Sequence, residues 1–267
     1  MSVMSQTIFC EVPAGRIAYS RQGSGRPVVL LHPIGVDRGW WDEYVQDWQQ
    51  TCDIVTIDLR GHGESSLVTA PVTLSDHAAD VASVLRKEGM AAAHIIGVSM
   101  GGMVAQRLAI ESPEHVASLI LCATAGGFPD EVRPHILARG DMNRVGDMAE
   151  VASDTLTRWF QPDTPRPDLV ERCRARLLAD DWYSWSANWQ AISQLDTLGE
   201  LGKVKAPGLV VAGDADASIP PAVSHRIADA LPSGRFISIP GAAHFGAFDM
   251  RNVFAPLFND FMSSLAR

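Results

Sequence analysis

Six short apolar runs recur along the chain, with room for a helix between most of them. "PVVLLH" (27–32), "DIVTID" (53–58), "AHIIGV" (93–98), "SLILCA" (118–123), "GLVVAG" (208–213) and "RFISIP" (235–240) are continuous rather than alternating in hydrophobicity. They are too short for helices and mostly rich in β-branched residues, which predicts strands buried on both faces. Ahead of them "GRIAYSRQG" (15–23) alternates and predicts an antiparallel edge strand. Between the runs, Leu74, Ala78, Val81 and Leu85 share one helical face behind a capping box of Thr73 and Asp76, and Gly89 ends that helix. Near the carboxyl end Val253, Leu257, Phe261 and Leu265 recur every four residues, flanked by Phe254, Phe258 and Met262. Strands alternating with helices predict an α/β class with a mostly parallel, doubly wound sheet.

One stretch breaks the rhythm. Residues 129–202 contain no convincing buried strand but hold Trp159, Phe160, Trp182, Tyr183, Trp185 and Trp189, four of the seven tryptophans in the chain. The stretch reads as a small helical cap inserted after the sixth strand, dividing the chain into a core of residues 1–128 and 203–267 and a cap of 129–202. Some of these rings must build the cap's own core. Others are expected to line a cavity, and Phe128, Trp159, Trp182, Trp185, Trp189 and Phe245 are the candidate pocket residues.

Composition narrows the partners. At 267 residues and 46% hydrophobic content there is enough apolar mass for a full core. A net charge of −9 with no basic stripe argues against a nucleic-acid surface. No run approaches the roughly 18 apolar residues of a membrane span. The start, MSVMSQTIFCEV, has neither the basic residues nor the long apolar segment of a secretory signal. Cys10, Cys52, Cys122 and Cys173 are far apart and form no CxxC, so they read as buried reduced thiols in a cytoplasmic protein, with no metal site.

The chemistry concentrates at "IIGVSMGGMVAQ" (95–106). Three glycines in six residues weaken both strand and helix interiors, a cost that needs a reason. Gly97-Val98-Ser99-Met100-Gly101 is a G-x-S-x-G pattern between a predicted strand and a predicted helix, the setting of a nucleophile elbow. There the turn is so sharp that the serine is strained and exposed, and side chains at Gly97 and Gly101 would not fit. A serine hydroxyl needs a base. His77, His94, His115, His135 and His225 are explained by packing or surface position, and His32 and His62 sit in loops after strands. His244, in the small-residue loop "IPGAAHFGAFD" after the last strand, is placed to reach the elbow. A carboxylate must orient that base, and "VVAGDADASIP" offers Asp214 and Asp216. Charge developing on an oxygen needs preorganised donors. The Met100 N–H at the helix start supplies one. The loop after "VVLLH" supplies the second, and since Pro33 has no N–H the donor is Ile34.

With these motifs in place the chain resembles the α/β-hydrolase fold over nearly its whole length. "IDLRGHGES" (57–65), "GVSMGGMVAQ" (97–106), "GDADASIP" (213–220) and "GAAHF" (241–245) stand where that family's motifs stand. Within it, "GVSMGGMVAQRLAIESPEHVASLILCATA" resembles the 3-oxoadipate enol-lactonase group. The resemblance implies Ser99 as nucleophile, Asp216 as acid (Gly213-x-x-Asp216 with Pro220 four residues on), His244 as base, and the Ile34 and Met100 amides as oxyanion donors. It implies structural or pocket-edge roles for Asp58, Arg60 and His62, with Asp214 a turn residue bonding its own backbone. Where many relatives have His-Gly this chain has His32-Pro33, a site at which a cis bond is admissible. A carboxylated lactone would call for a cationic cap residue; Arg133, Arg139, Arg144 and Arg158 are candidates, though solvated helix faces explain them equally well. The expected function is a cofactor-free serine hydrolase of a small ester or lactone with an apolar or ring-shaped body. A carbon–carbon bond hydrolase of a diketone ring-fission product, and a ligand-binding protein on a hydrolase scaffold, are the alternatives.

Overall fold

A computed structural model describes residues 6–141 and 147–265. Eight strands form one sheet: β1 (Ile8–Val12), β2 (Gly15–Gly23), β3 (Arg26–Leu31), β4 (Cys52–Ile57), β5 (Ala93–Val98), β6 (Val116–Cys122), β7 (Gly208–Gly213) and β8 (Gly234–Ile239). The helices are α1 (Asp42–Trp48), α2 (Leu74–Lys87), α3 (Met100–Glu111), α4 (Arg133–Leu137), α5 (Met148–Trp159), α6 (Pro167–Leu178), α7 (Trp182–Ser193), α8 (Pro221–Ala230), α9 (Gly246–Asp249) and α10 (Arg251–Ser264). Strand order is β1-β2-β4-β3-β5-β6-β7-β8, parallel from β4 onward, with β1 and β2 antiparallel. The order reverses beside β3, and Ser99 follows β5 at the carboxyl edge of the sheet, where open α/β sheets place their ligand crevice.

Helices cover both faces, so the central strands are apolar without alternation; Val28, Val29, Leu30 and Leu31 are all 0% exposed. Two strand expectations need correction. "GRIAYSRQG" is antiparallel but interior, because β1, whose five residues carry too little pattern to stand out, takes the edge position. "RFISIP" is the opposite edge, paired only with β7 and mostly half-exposed, rather than buried.

The α2 reading matches the structure. Thr73 and Asp76 cap each other reciprocally, Leu74, Ala78, Val81 and Leu85 are buried, and Gly89 takes φ 62° just past the end. In α10 the buried face is centred on Phe254, Phe258, Phe261 and Met262, while Val253, Leu257 and Leu265 lie at its margin. The larger rings take the centre. All four cysteines are buried and free, and burial pushes the Cys122 and Cys173 thiols up.

Helices α4–α7 lie between β6 and β7 as a cap. A bridge between Gly127 and Asp196 closes its neck, and the Thr197 N–H donates to Gly126 O at 2.7 Å. Cap and sheet layer also meet at His77 on α2, whose Nε2 bonds Asn188 Oδ1 on α7 at 2.8 Å. Because the Asn188 amide nitrogen donates to Ser184 O, its oxygen must accept, so Nε2 of His77 carries the proton. Nδ1 is buried without a partner, and a second proton there would be an unpaired buried charge. Burial accordingly lowers the His77 pKa to about 4.

That fixes a sign. The folded value lies below the unfolded one, so the contribution of neutral His77 is fully present above about pH 6.5 and is lost as pH falls toward 4. Between pH 7 and pH 5 this residue removes about 2 kcal/mol of stability. Urea unfolding at the two pH values should show that loss in the wild type and a shallower one in His77→Gln, whose amide still reaches Asn188. Equal losses would refute the assignment.

Candidate active site

The turn between β5 and α3 holds Ser99 at φ 53°, ψ −116°, a conformation that side chains rarely adopt. Its backbone is fixed from both sides. Ser99 N–H donates to Cys122 O at 2.9 Å, and Ser99 O accepts from Thr124 Oγ1 at 2.7 Å and from the Gly102 N–H at 2.9 Å. The glycines make this approach possible: a β-carbon on Gly97 would lie 2.4 Å from Gly101 O, and one on Gly101 2.2 Å from Leu31 O.

Asp216 follows β7 and His244 follows β8. One Asp216 oxygen accepts the Ser218 and Ile219 N–H groups at 2.7 and 2.9 Å; the other meets His244 Nδ1 at 2.8 Å. A carboxylate only accepts, so Nδ1 of His244 holds the proton and Nε2 is left with its lone pair. Asp214 does a separate job: its Oδ1 accepts the Gly241 N–H at 2.7 Å, bonding the loop that carries His244 rather than its own backbone. Ser99 and His244 line one cavity, with no hydrogen bond between their side chains. Such contacts are often loose before substrate binds. An imidazole held in this tautomer beside an alcohol on a strained turn can deprotonate it.

Ile34 also lines the cavity, and neither its N–H nor that of Met100 has a hydrogen-bond partner among the described residues. The His32–Pro33 peptide is trans, since no cis bond occurs among the described residues. The loop is held by a buried imidazole instead. His32 Nε2 accepts the Leu59 N–H at 2.9 Å, so its Nδ1 is the donor to Pro33 O at 2.7 Å. Burial lowers the His32 pKa, which keeps this ring neutral. His62 packs edge-on at 5.1 Å, donates from Nδ1 to Arg60 O, and is pushed well down by burial. Asp58 binds Arg38 and the Glu64 N–H, and Arg60 pairs with Asp80. These three residues tie loops together outside the cavity.

Of the aromatic candidates, Phe128, Trp159 and Trp189 line the cavity. Trp182, Trp185 and Phe245 do not. Trp185 turns its ring against Gly35 and donates from Nε1 to Arg139 O; Phe245 lies behind Trp159, stacked at 4.7 Å; Trp182 packs on the core. Sequence periodicity marks an apolar helical face without saying whether it meets protein or void. Arg139, one of the candidate cationic cap residues, also lines the cavity; Met103, Ile136, Ile192, Ser218 and Ile219 complete the lining and were not singled out. Proximity to Asp216 in the turn was a usable signal for Ser218 and Ile219. Arg133 pairs with Asp130 and bonds Ser193 O, while Arg144 lies outside the described residues. Among the described residues no group of His, Cys, Asp and Glu could hold a metal ion, and no helix is long and apolar enough to cross a membrane.

A family model described as the alpha/beta hydrolase family matches residues 28–257. The chain is 27% identical over 194 residues to 3-oxoadipate enol-lactonase 2 of Acinetobacter baylyi, covering 72% of each protein. It is 29% identical over 252 residues to BpoC of Mycobacterium tuberculosis, whose name places it with the non-heme bromoperoxidases, covering 87% of this chain and 92% of that one. A hydrolase from Pseudomonas aeruginosa PA01 matches in structure with a TM-score of 0.89 at 26% identity, over 97% of this chain and 99% of that one. The names attached to this scaffold differ in chemistry, so the substrate has to be argued from the cavity itself.

Proposed function

The chain belongs to the alpha/beta hydrolase family, and we propose that it is a serine hydrolase cleaving a small ester or lactone through an acyl-enzyme on Ser99. The observation that carries this reading is the 2.8 Å contact of the His244 Nδ1 with Asp216, on the cavity that Ser99 also lines. In the first step Ser99 Oγ attacks the carbonyl carbon while His244 Nε2 takes its proton. The oxyanion is received by the Ile34 and Met100 N–H groups, the second at the positive end of α3. The imidazolium then protonates the departing oxygen, and the carbonyl reforms as an ester to Ser99. Water, deprotonated by the same imidazole, releases the acid and restores the serine. This cycle calls on no cofactor.

The Phe128, Trp159 and Trp189 rings on the cavity that Ser99 lines favour a small substrate with an apolar or ring-shaped body. An aryl phosphonate added to the folded protein is expected to leave a single adduct that maps to Ser99 and is missing in Ser99→Ala. Labelling elsewhere, or none at all, would defeat the assignment.

A further inference from the structure

The link between α5 and α6 touches both loops that carry the proposed acid and base. Trp159 ends α5 with its ring on the Ser99 cavity and 5.9 Å from the His244 ring, and its carbonyl accepts the Phe245 N–H at 3.1 Å. Two residues on, the Gln161 side chain donates from Nε2 to Ala215 O at 3.2 Å. A carbonyl only accepts, so the nitrogen end of that amide must face it. The cap is thus bonded to the residue after His244 and to the residue before Asp216.

The second contact falls where it can steer a side chain. Ala215 O and the Asp216 N–H belong to one trans peptide, so they share a plane and point opposite ways. Gln161 holds the oxygen, and Gly213 O accepts the N–H at a long 3.3 Å. The φ of Asp216 is a rotation from that plane, and the direction of its carboxylate toward His244 Nδ1 follows from it. Ala215 also donates its own N–H to Ala242 O at 3.1 Å, so a tilt reaches the His244 loop as well. Asp214 and Ala217 on this turn are exposed, and among the described residues Gln161 is the one cap side chain hydrogen-bonded to it.

We propose that Gln161 is a positioning residue for the Asp216–His244 pair, so that the cap helps to assemble the acid–base pair it covers. This inference rests on the serine-hydrolase reading and adds how the cap bears on it. With the amide removed, the Ala215–Asp216 plane keeps only the long bond to Gly213 O, and the carboxylate spends part of its time turned off Nδ1. The imidazole then loses the acceptor that fixes its tautomer, and some molecules carry the proton on Nε2, where none can be taken from Ser99. Gln161 does not line the cavity, so the loss belongs in kcat and not in KM.

Gln161→Leu should lower kcat on an aryl ester by about 3- to 10-fold, the usual effect of one hydrogen bond, with KM within about 2-fold of wild type. Gln161→Glu, similar in size but without a donor at neutral pH, should lose as much. Gln161→Lys restores a donor and should recover most of the rate. Arg166→Gln is the control, because it cuts a cap anchor to Glu43 on α1 rather than to a catalytic loop, and it should keep the wild-type kcat. A second readout needs no turnover. The His244 Nδ1 proton held by Asp216 should give a low-field proton NMR resonance that is absent in Asp216→Asn. It should broaden or move upfield in Gln161→Leu and stay in place in Arg166→Gln. A wild-type kcat in Gln161→Leu, an unmoved resonance, or a kcat loss that Arg166→Gln shares overturns the positioning role. If turnover persists in Ser99→Ala, or the wild type turns over no ester, the serine reading falls instead, and the resonance still decides whether Gln161 holds the pair.

Discussion

Ser99→Ala and His244→Ala are each expected to lower kcat on an aryl ester by about 10⁴- to 10⁶-fold, and the double variant should be no slower than the slower single one. The reason is that hydroxyl and imidazole act as one unit. Without Nε2 to take the proton, Oγ is a neutral alcohol; without Oγ, the imidazole has nothing to activate but water. Asp216→Asn should cost about 10⁴-fold by another route. An amide nitrogen turned toward Nδ1 would force the proton onto Nε2, the atom that must be basic. The variant should stay folded, because the amide oxygen can still accept the Ser218 and Ile219 N–H groups at 2.7 and 2.9 Å. Asp214→Asn provides the contrast. Among the described residues its side chain bonds the Gly241 N–H alone, so it should slow turnover far less than Asp216→Asn. Steady-state kinetics on the five variants checks all of this. Additive losses in the double variant, or equal losses at the two aspartates, would contradict the proposed roles.

Those roles were readable unequally in the sequence. The elbow was legible because strand, glycines and helix all constrain one point: a short apolar run, then Gly97 and Gly101, then an apolar helix. The two aspartates were not separable from the chain alone, since residues two apart in a turn face different ways and the turn's hydrogen bonds decide which way. The structure shows how they divide. Asp216 closes its own turn and touches His244, and Asp214 reaches across to the loop that carries it. Choosing Asp216 needed the family pattern.

Buried strands were the most legible part of the fold. Val28–Leu31 and the run over β7 have no polar face and leave a central parallel position as the natural assignment. The sheet edges were less so, because an edge is defined by which neighbour is absent. β8 has apolar residues enough to look central, yet it pairs on one side only. The cap was legible as helical but not as a lining. Trp185 and Trp189 sit four residues apart on α7 and touch at 5.7 Å, yet one lines the cavity and the other packs on the loop at Gly35. That choice depends on the angle between α7 and the sheet, which no local pattern encodes.

Gly101→Ala is expected to be among the most destabilising single-methyl changes in the chain, at about 3 kcal/mol. The added β-carbon would stand 2.2 Å from Leu31 O, 2.6 Å from Leu31 C and 2.8 Å from His32 O. All three are backbone atoms at the end of β3, so no side chain can swing away, and either α3 or the strand must retreat. Against a total stability of about 5–15 kcal/mol this is a large share, and it should lower the melting temperature by roughly 6–12 °C. Gly199→Ala is the control: nothing lies within 4 Å of its β-carbon and its φ is ordinary, so it should be neutral or slightly stabilising. The clash also bears on chemistry. Leu31 and His32 lead directly into Ile34, and His32 fixes that loop through Pro33 O and the Leu59 N–H. A shift of about 1 Å there would misplace the Ile34 donor and lower kcat by about 10²-fold even in protein that remains folded. Scanning calorimetry and kcat below the melting transition separate the two effects. If Gly101→Ala melts with the Gly199→Ala control and turns over at the wild-type rate, the close packing of α3 on β3 is not what shapes this site.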